Sequence, residues 1–159
     1  MRSNRSFTLV ELVFVMAILG ILLAASVPRF AQTSERLRLE QTAFQLAQML
    51  RYAHERAVAE GREIVWQWDE SGHRAQLYVM QDDGLHSLEE RFAMSPPLPP
   101  WVSVSLERTG DAAVTGIGFL QDGTSEHTTI TVAHGKEHYV VTVDATTGQA
   151  VLSARTPPR

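Results

Sequence analysis

The sequence predicts an α+β protein, a long amino-terminal helix packed on an antiparallel β-sheet domain. Three observations predict it. Phe7 to Val27 is an apolar run interrupted by a single charge, Glu11. Beyond it, Leu39, Ala43, Leu46, Leu50, Ala53 and Ala57 recur at alternating spacings of four and three, which is one face of an α-helix. After Gly61 the pattern shifts to short alternating segments divided by Asp-Gly and Thr-Gly turns, the mark of strands and hairpins.

The first element begins behind a short leader. Residues 1–6 hold Arg2 and Arg5 and no acid. At about 1.5 Å per residue, the run 7–27 reaches roughly 31 Å, the hydrocarbon thickness of a bilayer. It is therefore predicted to span a membrane, with the two arginines keeping its start cytoplasmic. A carboxylate inside such a segment costs roughly 2.5–3.5 kcal/mol even on gentle insertion scales, so Glu11 is a candidate functional residue that needs a partner. Pro28 removes one backbone hydrogen bond and is expected to bend the helix. Residues 28–60 continue it as an amphipathic half, with Arg38, Glu40, Gln45, Gln48, Arg51 and Glu55 on the polar face and Gly61 as its cap. A secretory signal cut near Ala24-Ala25-Ser26 is the competing reading of this stretch. The acid within the apolar core, and the helical pattern running on through Pro28, argue against it.

The β-rich domain covers residues 61–159. Strands are predicted at 63–68 and 75–80, joined by Asp69-Glu70-Ser71-Gly72, and at 86–92 after the turn Asp82-Asp83-Gly84. Pro96-Pro97-Leu98-Pro99-Pro100 cannot lie in a central strand and reads as a connection. Strand resumes at 101–107, then at 116–120, 129–134, 138–143 and 149–153. Trp66 and Trp68 share a face at strand spacing and are read as core; Trp101 is left between core and interface.

Two stretches carry a family resemblance. The basic leader, Phe7, Thr8-Leu9, Glu11 and Pro28 fall in one register, which resembles the class III signal of type IV pilins and type II secretion pseudopilins. That resemblance implies cleavage between Ser6 and Phe7 by a prepilin peptidase and N-methylation of the new Phe7 amine. The family pattern has Gly where this chain has Ser6. Near the other end, Gly116-Ile117-Gly118-Phe119-Leu120-Gln121-Asp122-Gly123-Thr124, Val143-Asp144 and Gly148-Gln149-Ala150-Val151-Leu152 are similar to the GspH/FimT family. These are the H-type minor pseudopilins and their minor-pilin relatives. The middle, Trp66 to Arg108, carries little of the resemblance.

The resemblance implies a type IV pilin-like fold and a minor pseudopilin of the type II secretion system. Such a subunit sits near the tip of the periplasmic pseudopilus and helps export folded proteins. It implies single-pass anchoring in the bacterial inner membrane, with the amino terminus cytoplasmic and the carboxy-terminal domain periplasmic. Its partners would be the other minor pseudopilins, the major pseudopilin, the prepilin peptidase and, as a further contact, the secreted exoproteins. Glu11 would pair with the amine of a neighbouring subunit. The alternative is a FimT-like type IV minor pilin serving pilus assembly or DNA uptake.

Composition bears on these choices. The formal charge is −4. Without Arg2 and Arg5 there are 12 basic against 18 acidic side chains, so nucleic acid is not an expected partner. No cysteine is present, and no nucleophile elbow, phosphate loop or His-Glu-x-x-His motif occurs, so neither enzyme activity nor a cofactor is expected. His134 and His138 flank a tight turn and are read as exposed hairpin polarity. Asp82-Asp83 and Glu89-Glu90 are read as solvated loop charge, not a calcium site.

Overall fold

The computed structural model describes residues 8–90, 92–108 and 114–155, with the side chains of 24–32, 154 and 155 left out of account. The chain divides into two compact units, Met1–Leu37 and Arg38–Arg159. Helix α1 covers Leu9–Glu60 and remains helical through Pro28. In the first unit, every described side chain from Leu9 to Leu23 is exposed. The expected membrane span 7–27 lies partly outside the described residues. Among those described, no helix is long and apolar enough to cross a membrane.

In the second unit α1 ends as expected. Gly61 takes φ +62°, and the Arg62 N–H donates to Ala57 O at 3.2 Å, the bond that closes a Schellman cap. All six residues of the stripe Leu39, Ala43, Leu46, Leu50, Ala53 and Ala57 are buried to within 1% of full cover.

Eight strands follow: β1 (Ile64–Asp69), β2 (Arg74–Gln81), β3 (Gly84–Ser87), β4 (Ser103–Arg108), β5 (Gly116–Phe119), β6 (Thr128–His134), β7 (Glu137–Val143) and β8 (Ala150–Arg155). They form two antiparallel sheets, ordered β3-β2-β1-β5 and β4-β6-β7-β8. Burial alternates along β1, with Ile64, Trp66 and Trp68 inward, and along β7, with Tyr139, Val141 and Val143 inward. The helix stripe and these inward faces make one core. Both tryptophans of β1 are core residues, as their spacing predicts.

One strand is corrected. The expected strand at 86–92 is only Gly84–Ser87. Beyond it the chain leaves regular pairing and crosses toward α1 as a strap held at intervals. The Leu88 N–H donates to Leu77 O, the Leu77 N–H to Ala93 O at 2.7 Å, and the Ser95 N–H to Ala75 O at 2.8 Å. The prolines at 96, 97, 99 and 100 supply no N–H for a ladder and keep the connection that follows irregular.

Candidate assembly site and family membership

The amino-terminal site is built on the first turn of α1. Thr8 stands just before the helix, and its Oγ1 accepts the Glu11 N–H at 3.2 Å, while Thr8 O accepts the Leu12 N–H at 3.2 Å. Thr8-x-x-Glu11 thus supplies the threonine half of a capping box, satisfying a donor that the helix start leaves unpaired. It also places the Glu11 carboxyl at the positive end of the helix dipole. Glu11 is exposed, and no ion pair forms on it among the described residues. Ser6 and Phe7, the expected cleavage and methylation residues, lie outside the described residues. Pro28 sits in helical backbone.

In the second unit the family-like turns close on the helix. His54 Nε2 lies 3.2 Å from Gly123 O, and its ring meets Phe119 edge-on at 6.2 Å. Gly123 and Gly148 both take positive φ, +85° and +61°. A Cβ on Gly148 would stand 2.6 Å from Gly123 O and collide with the His54 ring, so this position accepts only glycine. Arg51 Nε donates to Ala150 O at 3.0 Å. Two side chains of α1 therefore hold the Asp122-Gly123 turn and the start of β8, with Gly148 packed against His54. The turns were legible in the sequence; their common seat on His54 was not.

A second cluster joins α1 to the strap. Tyr52 Oη donates to Glu90 Oε2 at 2.6 Å, Arg56 Nη1 pairs with the same oxygen, and Arg56 Nε lies 2.7 Å from Glu60. The Arg56 and Tyr52 bonds hold the Glu90 carboxyl below the usual carboxylate range, and Glu90 in turn raises the Arg56 and Tyr52 values. Glu90 is an exposed loop residue, as its reading as solvated loop charge expects, and the structure adds its bonds to Tyr52 and Arg56. Asp83 instead pairs with His86 at 2.8 Å, apart from the Glu90 cluster. No sequence signal marked the Tyr52–Glu90 contact, which links residues 38 positions apart.

His134 is also corrected. It is half-buried, its Nδ1 lies 2.9 Å from Trp101 O, and the two rings are 4.5 Å apart. The acceptor is a carbonyl, so Nδ1 carries the proton. Across the hairpin His134 opposes Glu137, and His138 opposes Ala133. Elsewhere Arg108 Nη2 donates to Gly116 O at 2.9 Å and pairs with Glu126, bridging the end of β4 to β5.

A long helix whose apolar stripe is roofed by antiparallel sheet, preceded by a capped acid in an apolar run, defines a pilin-like class of protein. The fold has solved counterparts. The minor pseudopilin EpsH of the Vibrio cholerae type 2 secretion system superposes with a TM-score of 0.63 at 14% identity, covering 78% of this chain and 99% of that one. The Pseudomonas aeruginosa type IV minor pilin FimU gives 0.61 at 19% identity, over 76% and 91%. E. coli GspH gives 0.57 at 15%, over 78% and 94%. At these identities the likeness is one of fold.

The chain belongs to the type II transport protein GspH family, whose model matches residues 42–147. Residues 1–27 match the prokaryotic N-terminal methylation motif. Two Pseudomonas aeruginosa fimbrial proteins are 37% identical over 65 residues, 41% of this chain. The match spans only 42% of those relatives' length.

Proposed function

We propose that this chain is a minor pseudopilin of the type II secretion system, a structural subunit near the tip of the periplasmic pseudopilus. The observation that carries the proposal is the pairing of a methylation motif over 1–27 with a GspH match over 42–147 in one chain. Residues 1–6 are the leader, 7–27 the inner-membrane helix, 28–60 its amphipathic continuation and 61–159 the periplasmic domain. Prepilin peptidase cuts between Ser6 and Phe7 and methylates the Phe7 amine. The other minor pseudopilins and the major pseudopilin are its partners, and secreted exoproteins are a further contact. Its work is packing rather than catalysis.

Glu11 supplies the register. A buried carboxylate and a buried amine are each costly alone and far less so together. In this reading Glu11, on the first turn of α1, pairs with the Phe7 amine of a neighbouring subunit, and Pro28 bends the helix. Mass spectrometry of membrane-extracted protein should find a chain starting at Phe7 with one added methyl. A start at Met1 or near Ser26 would overturn this reading.

The likeness to FimU and to fimbrial proteins favours a second reading, a type IV minor pilin. Deleting the gene separates the two: loss of exoprotein secretion supports the first, and loss of surface pili the second. DNA uptake fits poorly with the excess of acidic side chains.

A further inference from the structure

We propose that the outer face of the sheet β3-β2-β1-β5 binds a partner protein through one basic side chain, arginine or lysine, presented between apolar neighbours, with Glu63 as its counter-ion. The inference does not rest on the assembly reading above. Burial alternates along β1 and β5. Ile64, Trp66, Ile117 and Phe119 fill the core, while Glu63, Val65, Gly116 and Gly118 face the other way and are half-buried. The strand register sets these outward residues in rows. Val65 lies between Tyr78 and Gly118, and Gln67 between Gln76 and Gly116. In the next row, the Met80 N–H donates to Glu63 O at 2.9 Å, and Met80 pairs with Leu85 of β3.

The glycines of β5 point to a partner. Glycine weakens a strand, and inside one it often marks a place where a ligand or another chain comes close. Neither Gly116 nor Gly118 takes a positive φ, so the backbone does not call for glycine. At 116 packing does, since a Cβ would lie 3.1 Å from Trp66 O. At 118 an added Cβ would meet a single neighbour, Glu63 Oε1, at 3.3 Å. A side chain there would press on no backbone. It would cover the Glu63 carboxyl. Bare glycine instead leaves that carboxyl open in a trough of about 390 Å³.

The chemistry of the trough selects what enters it. Among the described residues, the half-buried Glu63 enters no ion pair. A carboxylate partly withdrawn from water without a partner is costly, and a charge-assisted bond from a guanidinium or ammonium offsets that cost. The neighbouring charges are already matched. Arg108 pairs with Glu126 and donates from Nη2 to Gly116 O at 2.9 Å, and Arg62 lines a separate hollow with Asp82 and Asp83. One acid is left over, which favours a cation and falls short of the roughly six or more oxygens that calcium takes. Leu85 and Leu120, 45% and 43% exposed, stand on the β3 and β5 sides of the trough, with Val65 between them. Such a rim suits the methylene stem of a basic side chain and apolar residues beside it.

The test uses the full-length protein in detergent micelles with benzoylphenylalanine in place of Leu85 and, as control, in place of the exposed Val151 of β8. The probes are three biotinylated heptapeptides, identical but for a central Leu-Arg-Leu, Leu-Gln-Leu or Leu-Glu-Leu. Irradiation should label position 85 at least several-fold more with the arginine peptide than with the other two, and position 151 with no such preference. Glu63→Gln should erase the preference. Gly118→Val should cut labelling by the arginine peptide several-fold while the thermal midpoint holds or rises, since valine suits a strand better than glycine. Equal labelling by the arginine and glutamine peptides overturns the inference, and so does a preference that survives Glu63→Gln. The same preference at position 151 would trace it to capture by the micelle or by overall charge. Undiminished labelling in Gly118→Val would mean that the trough is not the seat, and either result overturns the inference too.

Discussion

The stretch Leu9–Leu23 and the stretch Leu39–Ala57 belong to one helix yet live by opposite rules. In the second, each member of the apolar stripe is buried by sheet residues of its own chain. In the first, apolar side chains point out in every direction and all are exposed, including Phe14 at 68% and Ile21 at 69%. The second stretch is complete within its chain. The first buries none of its described side chains from Leu9 to Leu23. That difference separates stability from function: changes in the globular unit should be read out as unfolding, and changes near Glu11 as failed assembly.

The comparison breaks first if the globular unit does not depend on its stripe. Leu50→Asp or Leu46→Asp should cost several kcal/mol, because each places an unpaired charge in a fully covered site. A protein starting near residue 32 and carrying either change should lose its cooperative urea transition, while the parent remains soluble, folded and β-rich. A helix-dominated, non-cooperative parent would refute the fold. Gly148→Ala comes next, at about 2–5 kcal/mol, from a left-handed backbone and a Cβ pressed into Gly123 and His54. His54→Ala opens that space, so the double variant should recover part of the loss, and thermal denaturation of the three proteins measures it.

A smaller effect comes from acid. Asp69, Asp83, Glu90, Asp122 and Asp144 are all held below their ordinary values. The leading causes are Ser71, His86, Arg56, Thr124 and Thr147 respectively. A depressed folded value means the unfolded chain binds the proton more readily. The stability these groups add is present above the unfolded carboxylate value of about 4 and is lost as pH falls through the folded ones. The urea midpoint of the globular unit should therefore fall below about pH 4, and Asp144→Asn should flatten the drop. A midpoint that rises on acidification would contradict these bonds.

How much of this was readable depends on the range of the interaction. The stripe from Leu39 to Ala57 was legible because helical period and burial are the same fact. Gly123 and Gly148 were legible as turns because a positive φ selects glycine locally. Their meeting on His54 was not, since it joins residues 69 positions apart by geometry alone. Glu90 looked like loop charge for the same reason: nothing near it in sequence announces Arg56. Two sheets were read as one domain of sheet because alternation fixes a residue's face and not its neighbours. At the amino-terminal site, Thr8 and Glu11 were legible as a spacing, and the structure adds the bond between them.

For Glu11 we propose the smallest effect on folding and the largest on function. Glu11→Gln removes charge from an exposed side chain. Its N–H still donates to Thr8 Oγ1, because that bond uses backbone, so the urea midpoint should not move. Membrane insertion should be unchanged or better, since the segment loses its one costly group. Recruitment is what should fail: the protein should accumulate in the membrane without cross-linking to the major pseudopilin. Glu11→Lys should be at least as poor, because it sets a second cation against the neighbour's amine where the dielectric is low. A subunit close to the tip has few neighbours above it, and its globular unit could hold it in place without the acid. Cross-linking is therefore measured in wild type, Glu11→Gln and Glu11→Lys side by side. If all three cross-link equally and secrete equally, Glu11 belongs to the leader's recognition and not to the filament, and the contrast between the two stretches of α1 loses its functional half.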